Sequence, residues 1–250
     1  MEALPERIAR MILEAEGVGV RDPAWERKME RLEAHPAWQE KYREFMPKVW
    51  AAMSRLHVLG GVRDAVSFAR SLPGVEAVEF FPPLPGLRDS RQPLGICQKG
   101  EDGRSVIWLN AALRGTRGVE FTACHEAAHH LFHPPGNYAG GWKDSRLKDI
   151  YDIQANWAAS ELKMPTARFV PYCVSHNFDP LAIAARFNVS ESAASLRAAR
   201  LTAQLRHRGL LPNRCLSCGK TLLPGVAACP DCGGRTRLAA AGYLPRPGRP

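Results

Sequence analysis

Two histidines four positions apart, with an acid beside the first, occupy His125-Glu126-Ala127-Ala128-His129. The spacing demands a helix: positions i and i+4 project from one helical face, where two imidazoles can grip a single cation. The flanking residues agree. From Gly118 the chain runs Val119, Phe121, Thr122, His125, Ala128, His129, Phe132, an inward stripe at steps of three and four that stops before Pro134-Pro135. Any one such histidine can be a hydrogen-bonded core residue. Together with Glu126 they are the parts of a catalytic zinc site, in which the carboxylate takes a proton from water and returns it to a leaving amine while the metal polarises the carbonyl. Such a site needs a third protein ligand and an open fourth position.

A second helix, Leu147 to Met164, is rich in alanine, is bounded by Pro165 and carries acids at Asp149 and Asp152. Either acid can face the histidines. The segments HEAAHHLFHP and DIQANWAASELKMP together resemble the ImmA/IrrE family of zinc peptidases, whose pattern runs close to HELGHLLLHP and then ExxANxFAxxLLMP. The resemblance extends forward to Leu181–Ser190, similar to a helical segment LAxxFxVS, and back to the strand-like Ser105–Asn110. It implies that Asp152 is the third ligand, standing where the family usually has Glu. Asp is shorter in reach by about 1.5 Å, and Asp149, one turn earlier, is the alternative. Trp157 stands one position before the place where the family has an aromatic.

The other chemical signature is Cys215-Leu-Ser-Cys218, ten residues, then Cys229-Pro-Asp-Cys232, with Gly219 and Gly233-Gly234 just after the knuckles. Two CxxC pairs at this spacing read as a zinc ribbon, the glycines supplying the tight turns. Paired disulfides are the alternative and need an oxidising compartment. Residues 1–17 are charged and amphipathic without a signal-peptide core, and no run of 18 apolar residues exists, so the expectations are a cytoplasmic protein with no membrane span. Cys97, Cys124 and Cys173 are then free buried thiols.

The net charge of +9 lies entirely beyond residue 191: Ser192 to Pro250 holds ten Arg or Lys against one acid, Asp231. A ribbon in a basic segment suits nucleic acid or an acidic protein surface, and suits simple solubility equally well. Tyr243 is the first aromatic in that segment, which argues against a single-strand stacking platform.

The fold class expected is α+β: a mostly helical zincin-like metallopeptidase core with a small β-sheet, plus a C-terminal zinc ribbon. Residues 1–72 read as helical, with helices marked by Ile8, Ile12 and Leu13, by Trp25 to Leu32, and by Trp38 to Met53, which Pro47 should kink or end. The core spans 73–170, with strands at Val75–Phe81, Leu94–Gln98 and Arg104–Asn110. The last two form a hairpin about Gly100–Gly103, and a proline-rich loop precedes it. Val106 to Asn110 is nominated as the edge strand that pairs with an extended substrate. Then follow a helix-turn-helix-like segment at 171–211, turning at Asn188–Ser190, the ribbon at 212–238 and a disordered basic tail at 239–250.

Two zinc ions are expected, one catalytic on His125, His129 and Asp152 and one structural on Cys215, Cys218, Cys229 and Cys232. Glu126 is the catalytic residue; His176, Tyr172 and Tyr138 are candidates to stabilise the oxyanion. The resemblance implies a regulatory endopeptidase whose protein substrate is a DNA-binding repressor of the helix-turn-helix type. The alternative is a non-catalytic metal-binding regulator that contacts nucleic acid or a protein through the ribbon and basic C-terminal region.

Overall fold

A computed structural model describes residues 42–82, 93–138, 145–207, 213–222, 225–242 and 244. The expected helices around Ile8 and Trp25, and the loop between Pro82 and Pro93 apart from its ends, lie outside the described residues. The chain divides into two compact units, a larger one of residues 23–165 with 187–190 and a smaller one of the remainder.

In the larger unit, helices α1 (Tyr42–Arg55) and α2 (Ala65–Ser71) lead into strand β1 (Val75–Phe81). Pro47 lies inside α1 and does not end it, which removes one of the two expected outcomes, a kink or a stop. It forgoes one bond of the helical ladder, to the Arg43 carbonyl, while Phe45, Met46, Val49 and Met53 are all buried in the common core and hold the helix there. These residues share that core with strands and helices beyond residue 73, so the sequence boundary at 72 does not separate two packing units. Asp64 caps α2, accepting the Ser67 amide at 2.9 Å.

Strands β2 (Gly95–Lys99) and β3 (Ser105–Asn110) form the expected hairpin, with Cys97 opposite Ile107. On β3, Ser105, Ile107 and Leu109 alternate inward, at most 2% exposed. The sheet order is β1-β3-β2-β4, where β4 is the two-residue Gly136–Asn137 pairing with Gln98 and Lys99. This corrects the nomination of Val106–Asn110 as an edge. β3 is interior, parallel to β1 on one side and antiparallel to β2 on the other, so its ladder is already filled. A parallel partner joined through a distant crossover leaves no local sequence signal.

Helix α3 (Gly118–Phe132) lies on this sheet and packs against α4 (Ser145–Lys163). Ala123, Ala127 and Ala128 of α3 and Ala155, Ala158 and Ala159 of α4 are fully buried, and side chains this short let the two helices close together. Trp157, displaced from the expected aromatic position, packs on the core with its ring centroid 6.3 Å from that of Phe45. A buried ion pair fixes the helix ends. Lys163 Nζ donates to Glu120 Oε2 at 2.7 Å and to the carbonyls of Val62 and Arg63 at 2.9 Å each.

The smaller unit contains α5 (Thr166–Ser175), most of α6 (Pro180–Phe187), α7 (Glu191–His207), a β5–β6 hairpin (Asn213–Arg214, Thr221–Leu222) and α8 (Arg237–Ala240). The turn between α6 and α7 falls at Asn188, whose φ of 50° is left-handed. The disorder expected from residue 239 is not met at its start, and residues 245–250 lie outside the described residues. Ala239 is buried within α8 and Leu244 is only 5% exposed. Among the described residues no helix is long and apolar enough to cross a membrane.

Candidate metal centre

Helix α3 presents His125 and His129 one above the other, ring centroids 4.8 Å apart, with their Nε2 atoms 3.1 Å from each other. Asp152 arrives from α4, its Oδ1 3.5 Å from His129 Nε2, and the ligand atoms of the three residues all lie within 4.8 Å of one another. Asp149, the alternative third ligand, does not belong to this convergent group. The shorter carboxylate nevertheless comes within 3.5 Å of the His129 ring nitrogen. One turn along from Asp152, Asn156 Oδ1 lies 3.1 Å from His125 Nδ1. A carbonyl oxygen only accepts, so His125 carries its proton on Nδ1 and offers the lone pair of Nε2.

These residues fit a zinc ion. An imidazole lone pair faces a second imidazole nitrogen at 3.1 Å with a carboxylate beside them, a donor set that a shared cation stabilises. Tetrahedral zinc with bonds of roughly 2.0–2.1 Å spaces its ligands about 3.3 Å apart. His129 is 1% exposed, whereas the Asp152 side chain keeps 29% of its surface, so the group opens on the aspartate side.

Glu126 is buried at 4% exposure, packed against the start of β2. A Cβ built on Gly95 would lie 2.6 Å from Glu126 Oε1, so only glycine lets the strand come this near the carboxylate. Cys97, on the same strand, is no ligand: burial, with the Glu126 charge adding to it, pushes its thiol up to about 12.

Around the histidines lies an aromatic shell that the sequence reading missed. His133 Nδ1 is 2.9 Å from His129 Nδ1, and its ring stacks on Tyr151 at 4.6 Å between centroids. Burial holds His133 well below the ordinary histidine pKa, with His129 and His125 adding to the effect, so it is neutral near pH 7. The available signal was its spacing, four residues past His129 on the same helical face.

Of the three oxyanion candidates, Tyr138 stacks on His129 at 4.1 Å between centroids, and its hydroxyl donates to the Pro134 carbonyl. Tyr172 and His176 belong to the smaller unit and stack on each other at 3.8 Å, with Tyr172 Oη donating to the Ala182 carbonyl.

The four ribbon cysteines form a second convergent group. The Sγ separations are 3.5 Å for Cys215–Cys232 and 3.7 Å for Cys218–Cys229, far beyond a disulfide bond and close to the roughly 3.8 Å edge of a tetrahedral zinc–thiolate site. The amides of Cys218 and Ser217 donate to Cys215 Sγ at 3.4 Å, and these bonds, the Cys218 amide first, pull the Cys215 thiol down to about 6. Gly219 and Gly233 close the two knuckles at φ of 72° and 68°, each amide bonding back to the carbonyl of the first cysteine of its knuckle.

Residues 86–199 match the model of the IrrE N-terminal-like domain, Peptidase_M78. Among curated proteins none matches the chain. The match spans the β2–β3 hairpin, the paired helices that bear His125, His129 and Asp152, and the start of α7, and it stops short of the ribbon. Over these residues the chain is similar to the IrrE N-terminal-like domain, and the match supports a metallopeptidase-type function.

Proposed function

We propose that the protein is a zinc-dependent regulatory endopeptidase in which His125, His129 and Asp152 hold the metal and Glu126 transfers the proton. One observation carries this: three ligand atoms converge within 4.8 Å beside a buried carboxylate, inside the family match. When bound there, zinc supplies Lewis acidity toward a scissile carbonyl and toward water. Asn156 holds His125 in the tautomer that presents Nε2, and Asp152 comes within 3.5 Å of the His129 ring nitrogen. Glu126 accepts the proton of the attacking water and delivers it to the departing amine, its 4% exposure limiting competing solvent. A regulatory target such as a helix-turn-helix repressor is supported by the family resemblance, and the cytoplasm is the compartment such a target implies.

The alternative, a metal-binding regulator without turnover, draws support from the ribbon. It lies outside the family match and within the segment that carries the whole net charge. In that reading the ribbon and the basic C-terminal region contact nucleic acid or a protein partner, and neither reading involves a membrane.

Comparison of new protein N-termini in a cell extract treated with wild type or Glu126→Ala separates the two. The peptidase reading requires a small set of cleavages that disappear in the variant while its zinc content stays unchanged. Identical termini from both proteins, or none from zinc-loaded wild type, would favour the binding reading.

A further inference from the structure

His133 stands immediately after α3 and is 3% exposed. Its main chain is pinned: Lys99 Nζ donates to the His133 and His130 carbonyls at 2.8 and 2.7 Å, and the His133 amide bonds to the His129 carbonyl. The ring is pinned as well, stacked on Tyr151 and lying nearly parallel to Phe45 at 6.2 Å. With the ring plane so confined, Nδ1 lies 2.9 Å from His129 Nδ1. One of these two nitrogens must donate and the other accept.

We propose that His133 is a positioning residue: it accepts the Nδ1–H of His129 and so fixes the tautomer and aim of the His129 Nε2 ligand. This inference rests on the zinc reading above. Ligating histidines ordinarily give this proton to a carboxylate, a backbone carbonyl or water. Here a second imidazole takes it, and it parallels the bond between His125 and Asn156. Both ligands are thereby oriented through Nδ1, one from α4 and one from the end of α3 itself.

The test uses full-length protein and chelator competition, following the zinc-binding step that His129→Ala removes. His133→Phe keeps a stacking ring and loses the acceptor, whereas His133→Asn loses the ring and keeps an acceptor near the place of Nδ1. The proposal expects Phe to weaken that step by roughly 10–100-fold and Asn to recover most of the loss. A purely structural role for the ring gives the opposite order, with Phe like wild type and Asn impaired, and that order would overturn it. Independently of variant folding, imidazole nitrogen NMR of the wild type should find the proton on Nδ1 of His129 and Nδ1 of His133 bare. The reverse assignment contradicts the proposal. If wild type shows no step that His129→Ala abolishes, the zinc reading itself fails, and His133's role with it.

Discussion

At the scale of single residues, small side chains shape the site as much as reactive ones do. Gly95 lets β2 lie against Glu126, and a methyl group there would intrude to 2.6 Å from the carboxylate. Gly95→Ala is therefore expected to lower kcat/KM by about 10–100-fold through displacement of Glu126, with zinc content unchanged, since misplacement by an ångström costs on that order. Steady-state cleavage beside elemental analysis checks this, and a loss of zinc would show that the strand supports the ligands instead. His125, Glu126 and His129 were legible in the sequence because helical spacing alone puts them together. Asp152 was not separable from Asp149 by spacing, since the choice depends on how α4 rotates against α3. Gly95 was illegible for a related reason, since it acts through a contact that periodicity does not encode, whereas His133 carried a signal in its helical spacing from His129.

At the scale of elements, the helices bearing the site are held in register by a buried charge. Lys163 has no exposed side-chain surface and spends its three protons on Glu120 and two carbonyls ahead of α2. Lys163→Met leaves Glu120 largely buried beside Ala65 without its cation and should cost about 3–5 kcal/mol. Adding Glu120→Gln should recover much of that, because the stranded charge is then gone. Denaturant unfolding of both variants measures it, and equal losses would mean that packing, not charge, is at stake. The β2–β3 hairpin was legible from alternation and from the turn at Gly100–Gly103. The position of β1 was not, because its parallel pairing crosses from Val75 to Ser105 and depends on the path between strands. That gap produced the mistaken edge assignment for Val106–Asn110. It is β2, paired with β4 only at Gln98 and Lys99 among the described residues, that runs beside Glu126.

At the scale of the molecule, two convergent ligand groups lie in separate compact units, one of histidines and a carboxylate and one of four thiols. The convergence of the four cysteines was legible because two CxxC knuckles are local, whereas the boundary at residue 72 was not, since α1 joins the core of the larger unit through long-range burial of Phe45 and Val49. The most direct test of the central claim is zinc stoichiometry by elemental analysis on protein purified without added metal, comparing wild type, His129→Ala and Cys215→Ser. Two equivalents in wild type and one in each variant are predicted, because each substitution removes a ligand from a different group. A single equivalent that survives His129→Ala would contradict the account, leaving the ribbon as the metal site and the HExxH helix without its ion.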